Sequence, residues 1–263
     1  MRVKMFLGLL FLLCFGLEAK GMEGKEILEK SIHRPGYKDA HLKIKLIKTH
    51  AGLSREIILE LYQKRYPEMV ATLVVIDEPE SARGISFLTW DYLDPKKPDK
   101  KWYYLPAINQ YKELNDEQGK KYEEKFGFST EIFAINLDEA THQLLGEEEV
   151  GGKICYKVES VMKNPDHPRG AKIITWVEKD TWVARKLQAF DKKGRLIREF
   201  LLLEEKKFNG FWQEMAGRYQ DSQENRTVEF KVLEAKFNQG LKDELFLSTR
   251  LKPRAEQIKK DSR

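Results

Sequence analysis

The chain has 263 residues and a mass of 30.9 kDa, with 34% charged residues, 41% hydrophobic residues and a mean hydropathy of −0.58. That balance excludes a polytopic membrane protein, and 14 Phe, 10 Tyr and 5 Trp exclude a disordered chain. The net charge of +5 is a weak excess spread along the sequence, not the concentrated basic stripe of a nucleic-acid binder, so no nucleic-acid partner is expected.

Residues 1–19 read as a secretory leader. Arg2 and Lys4 precede an apolar run from Phe6 to Leu17, and Leu17-Glu18-Ala19 offers a small residue at a cleavage point. Twelve residues in a helix cover only ~18 Å, short of a ~30 Å hydrocarbon core. An uncleaved anchor is the alternative reading. Lipidation at Cys14 is not expected, because Leu12-Leu13 before it and Phe15 after it are large. Cleavage after Ala19 leaves Cys155 as the single thiol, with no internal disulfide. Cys155 lies in an alternating run and reads as a small buried hydrophobe.

A short amphipathic helix is predicted over Met22 to His33, with Ile27, Leu28 and Ile32 on one face and Pro35-Gly36 ending it. The period then changes to two. Strands are expected at His41–Lys48, Ser54–Arg65, Glu68–Ile76, Gly84–Trp90, Lys101–Pro106 and Asn109–Leu114. The charged segment Asn115 to Lys125 reads as a loop. Phe128 to Ala140 reads as one or two helical turns, with Ser129 as cap and Ile132 and Phe133 facing inward. Six more strands follow, at Lys153–Met162, Ala171–Lys179, Trp182–Asp191, Arg195–Glu204, Phe211–Gln220 and Arg226–Phe237. Asp191-Lys192-Lys193-Gly194 and Phe208-Asn209-Gly210 between them are hairpin turn signals. Residues 251–263 are polar and basic and are expected to fray.

Twelve strands with short connections, no 20–50-residue repeat and few helices predict a mainly β protein built as an antiparallel meander. So long a sheet curls. Two short helical segments then either lid a concave apolar face or, with their neighbours, fill it completely; the residues leave both open. His33, His41, His50, His142 and His167 form no metal-ligand spacing, and no Walker loop, GxGxxG or Gly-x-Ser-x-Gly is present. No catalytic residue, metal or cofactor is therefore expected. Glu147-Glu148-Glu149 reads as a solvated hairpin edge, and Asp166-His167 as a Pro-flanked turn. A hydrolase would need His41 or His142 beside a carboxylate in a pocket.

Gly84-Ile85-Ser86-Phe87-Leu88-Thr89-Trp90, followed by Asp99-Lys100-Lys101-Trp102-Tyr103-Tyr104-Leu105-Pro106-Ala107, resembles the bacterial outer membrane lipoprotein-sorting proteins, relatives of the LolA carrier. Trp176 to Leu187 and the turn Asp191 to Gly194 are similar to that family's late hairpin, and Glu26-Ile27-Leu28 to its opening helix. The loop from Asn115 to Phe128 departs from the family pattern in its charge.

The resemblance implies a strongly curved antiparallel sheet, an incomplete β-barrel of LolA/LolB type closed by short helices, in a single domain over residues 20–250. It implies a monomeric periplasmic carrier or sensor that binds lipid acyl chains or acylated proteins in a hydrophobic cavity, working with an inner-membrane transporter. On that reading Phe87, Trp90, Trp102 and Tyr104 line the groove, Leu59, Leu61 and Leu73 lie beneath, and Ile132 and Phe133 belong to the lid. The alternative is a non-enzymatic accessory module that docks on an envelope transporter or sensor. The sequence leaves open whether the Lys/Arg surplus faces anionic lipid or serves solubility.

Overall fold

The computed structural model describes residues 22–94, 96–115, 118 and 136–251. The segment 1–19 read above as a leader, Ser129, Ile132, Phe133 and the residues beyond 251 lie outside the described residues. A helix, α1 (Gly24–Ile32), precedes six strands: β1 (Asp39–His50), β2 (Leu53–Arg65), β3 (Met69–Glu78), β4 (Ser86–Tyr92), β5 (Lys100–Leu105) and β6 (Gln110–Leu114). Seven more follow: β7 (Ala140–Val150), β8 (Lys153–Met162), β9 (Lys172–Glu178), β10 (Ala184–Phe190), β11 (Leu196–Phe208), β12 (Phe211–Asp221) and β13 (Arg226–Phe237).

All thirteen strands form one sheet in the order β6-β5-β4-β3-β2-β1-β13-β12-β11-β10-β9-β8-β7, every pair antiparallel. Two hairpin meanders are thus joined back to back by pairing of β1 with β13. The sheet is curved and does not close, so β6 and β7 are its two edges. Register shifts at Lys43/Ile44, Ile58/Leu59, Leu202/Glu204 and Ala189/Phe190 insert bulges, and bulges bend strands and increase local twist. Asn209 and Gly210 take positive φ in the β11–β12 turn, as the Asn-Gly signal requires.

The twelve strands read from the sequence are present with ends shifted by a few residues. β7 is the thirteenth. Its apolar content is low because it is an edge with only one partner, and its alternation is broken by a bulge between Leu144 and Gly146. The acidic run Glu147–Glu149 falls at the end of this edge strand, in the hairpin with β8. The expected apolar helix face is narrower than read: Ile27 and Leu28 are buried, but Ile32 is 51% exposed because the helix ends there. Residues 137–139 form a 3-10 turn capped by Asn136, whose Oδ1 accepts from the Asp138 amide at 3.1 Å.

A second feature carries no periodic signal in the sequence. After β13 the chain crosses β1 to β5 as a strap containing 3-10 turns at Asp243–Phe246 and Ser248–Arg250. The buried Asp39 carboxylate anchors its start, accepting from the Gln239 amide at 2.8 Å and the Gly240 amide at 3.0 Å. Lys64 Nζ then donates to Leu241 O and to Asp243 Oδ1, each at 2.6 Å. Leu251, placed at the start of the expected frayed tail, is in fact buried with Phe246 against the sheet.

Cys155 is fully buried and free, and burial pushes its thiol up to about 11. The thiolate is the reactive species. Alkylation of the folded chain by iodoacetamide at pH 8 is therefore expected to be slower than in urea by about two orders of magnitude. Equal rates with and without denaturant would show that Cys155 is accessible.

Candidate ligand-binding face

The period-two rule assigns each strand residue to one face, and the register carries that assignment across the sheet. Starting at β7, directly paired residues run Leu144–Val158–Thr175–Leu187–Phe200–Tyr219–Val228. Val228 shares its face with Phe230 two residues on, and Phe230 pairs with Leu46, which pairs with Ile57. Ile57 in turn shares a face with Leu59 and Leu61. From Leu61 the row continues Val74–Phe87–Tyr103. One face therefore carries a band of large apolar side chains through twelve of the thirteen strands, interrupted only by Thr175.

The helix α1 sits on this face at the β7–β9 end, where Ile27 and Leu28 pack with Val158 and Val177. Burying two such side chains contributes about 1.5–3 kcal/mol each. The approach is close. A Cβ on Gly24 would lie 2.9 Å from the carbonyl carbon of Gln143, so glycine is what lets the helix N-terminus touch β7. Farther along, Phe200 and Phe230 stack with centroids 6.5 Å apart and rings 5° from parallel. Both lean over Gly217, where a Cβ would meet Phe230 at 2.6 Å. Leu46, Leu59, Val74, Phe87 and Tyr103 are buried, whereas Ile44, Ile57, Leu61, Phe230, Leu187 and Trp212 are half-buried.

The site residues expected from the sequence divide between the two faces. Leu59, Leu61 and Phe87 come together on the α1 face in one cluster with Val74 and Tyr103. Leu73, Trp90, Trp102 and Tyr104 lie together on the opposite face, under Phe246 and Leu251 of the strap. There Trp90 donates to Phe246 O at 3.0 Å and meets Trp102 edge-on at 4.9 Å, and Trp102 donates to Glu113 Oε2 at 3.1 Å. The reason is parity. Phe87 and Trp90 are three residues apart, so they point to opposite sides of β4. On β5 it is Tyr103, between the two named aromatics, that shares the face of Phe87. Leu46, Val74, Tyr103 and Phe230 belong with the α1-face group and follow once the register is known.

Polar groups on this face are engaged by protein partners: buried Asp221, two residues on from Tyr219, accepts from Arg198 Nε at 2.9 Å and from the Tyr219 hydroxyl at 3.2 Å. His142 is held between Ser160 Oγ at 2.8 Å and Leu137 O at 2.8 Å. Since a carbonyl only accepts, Nε2 carries the proton and Nδ1 accepts from Ser160. His41 does lie beside a carboxylate, 2.5 Å from Glu60, but stacked on Tyr62 on the strap side of the sheet. Glu178, Arg185 and Glu205 form a largely buried charge cluster. Arg185 Nη1 lies 2.8 Å from Glu178 and 2.7 Å from Glu205, with side chains 9%, 2% and 9% exposed for Arg185, Glu178 and Glu205. Among the described residues no group of three or more His, Cys, Asp or Glu is arranged to hold a metal ion, and no helix is long and apolar enough to cross a membrane.

An open, curved antiparallel sheet with one apolar face beneath an N-terminal helix defines the class of protein. A family model described as "-like: Uncharacterized protein" matches residues 68–253, and the chain belongs to that family. No curated protein matches the sequence. Among solved structures, a DUF1329 family protein from Desulfovibrio piger is similar with a TM-score of 0.71 at 22% identity, covering 87% of this chain and 97% of that one. A putative outer membrane lipoprotein-sorting protein domain from Vibrio parahaemolyticus gives 0.72 at 20% identity, covering 87% and 98%. A LolA superfamily protein from Nitrosomonas europaea gives 0.57 at 18% identity, covering 86% and 98%. The fold is thus that of the sorting family which the Gly84–Ala107 pattern resembles.

Proposed function

We propose that this protein is a non-enzymatic periplasmic carrier or sensor that holds the acyl chains of a lipid or lipoprotein against its α1 face, for sorting toward the outer membrane. The observation that carries the reading is the apolar band through twelve strands, which stays half-buried at Ile44, Ile57, Leu61 and Phe230. An acyl chain in water costs about 0.8 kcal/mol per CH₂, so a dry trough and a movable cover suffice and no covalent step is needed. Leu59, Leu61 and Phe87 line the trough in this reading, joined by Tyr103, Val74 and Phe230. The names of the similar Vibrio and Nitrosomonas structures support it. In the same reading residues 1–19 are removed on export, residues 20–250 form the carrier domain, and an inner-membrane transporter delivers the cargo to the monomer.

The test is to titrate the purified chain with a fluorescent fatty-acyl probe and to record native mass spectra after mild extraction. Saturable probe binding, or co-purified lipid mass, is the expected result. A clean apo mass together with no fluorescence change would overturn the reading.

A further inference from the structure

We propose that the end of the sheet built around Tyr37, Phe208, Phe211 and Phe237 docks on an anionic phospholipid surface. The proposal deepens the carrier reading, since a carrier must be loaded and emptied at bilayers. The β11–β12 turn at Asn209-Gly210 folds Phe208 and Phe211 back against the segment entering β1 and the end of β13. Ring centroids lie 4.9 Å apart for Phe208 and Phe237, 5.1 Å for Phe211 and Phe237, and 5.1 Å for Tyr37 and Phe237. Tyr37, Phe208 and Phe237 stay half-buried, as does neighbouring Trp212.

Cations surround this aromatic box. Arg65 lies 5.4 Å from the Tyr37 ring, Lys206 5.3 Å from Phe208 and Lys207 5.8 Å from Trp212. Lys38 and Lys236 adjoin Tyr37 and Phe237 in the chain. All five are exposed, and among the described residues none has an ion-pair partner. The carboxylates nearby are largely engaged: Glu214 is bound by Arg34, and buried Asp39 accepts the strap amides. Glu205 is held by Arg185, which leaves Glu204 and Glu234 on the flanks. Five exposed cations against Glu204 and Glu234 give this end a local positive excess. Half-buried aromatic rings with lysines around them match the interface of a bilayer, where rings sit at headgroup depth and ammonium groups reach phosphate. An acidic protein surface would use the cations but has no need of the rings.

The experiment compares three forms expressed from the full coding sequence: the parent, K38E/K206E/K207E/K236E, and the control K100E/K112E/K163E/K193E, which carries the same net charge. Each is co-sedimented with phosphatidylcholine vesicles, with and without about one-third phosphatidylglycerol, at roughly 0.05 and 0.5 M salt. The parent and the control are expected to bind only the anionic vesicles, and only at low salt. The pole variant is expected to lose on the order of a hundredfold in partitioning, with an unchanged melting curve and unchanged acyl-probe binding. Absence of parental binding to anionic vesicles overturns the proposal, as does equal loss in both variants or no loss in the pole variant. If the parent binds vesicles but no acyl probe, the carrier reading falls while the docking surface stands.

Discussion

Replacing Arg185 with leucine is expected to lower the unfolding free energy by about 3–5 kcal/mol. One guanidinium nitrogen of Arg185 on β10 holds two carboxylates from its neighbouring strands, Glu178 Oε2 of β9 at 2.8 Å and Glu205 Oε1 of β11 at 2.7 Å. Burial disfavours the charge on Arg185, but hydrogen bonds and attraction from Glu205 and Glu178 outweigh it, and its pKa lies above the ordinary value. Without the cation, two negative groups remain in a site that water does not reach. Lys153 Nζ, 3.3 Å from Glu178 Oε1, is 45% exposed and too screened to take over. For a chain of this size the loss corresponds to a fall in melting temperature of roughly 10 °C.

Removing all three charges has a different expected outcome. Glu178 Oε1, Arg185 Nε and Glu205 Oε2 are buried without a hydrogen-bond partner, so the cluster is not fully satisfied even when intact. An apolar replacement, E178M/R185L/E205L, is therefore expected to be within about 1 kcal/mol of the parent or more stable. Urea unfolding of the single and triple variants decides the matter. A single variant as stable as the parent would mean that the charges are solvated. A triple variant as weak as the single one would mean that packing, not charge, governs this corner.

The strands were legible because their side chains alternate and their turns carry the required residues, as at Asn209-Gly210 and Gly194. The chain order of the hairpins then fixes most of the sheet. The pair that joins the two meanders, β1 with β13, was not legible, since nothing local marks two distant strands as partners. β7 escaped for the opposite reason: an edge strand with a bulge at Gly146 and three glutamates needs no apolar alternation. The strap depends on contacts such as Asp39 with Gly240, separated by some two hundred residues, and on short 3-10 turns with no periodicity to detect. Arg185, Glu178 and Glu205 each sit in charged neighbourhoods that read as surface. At the candidate site, residue type was legible but facing was not. The resemblance grouped Phe87, Trp90, Trp102 and Tyr104 together, and only the register separates the first from the other three.

That separation gives the second large effect. Trp102→Ala is expected to cost about 3–5 kcal/mol of stability while leaving acyl-probe affinity unchanged. Trp102 is 5% exposed, packs edge-on with Trp90 and lies beneath the strap, so its loss opens a cavity between strap and sheet. The hydrogen bond to Glu113 is lost as well. Leu61→Gln is expected to do the reverse. Leu61 is half-buried on the α1 face beside Leu59 and Phe87, so a polar amide there costs less than about 1.5 kcal/mol of folding free energy. The same amide would sit unpaired against an acyl chain and weaken probe binding by about tenfold. Thermal melts and probe titrations on both variants read the two effects independently. If Trp102→Ala abolishes probe binding at a temperature where the variant is folded, the ligand lies under the strap rather than under α1. If Leu61→Gln binds the probe as the parent does, the trough does not reach β2, and the apolar band serves packing alone on that side.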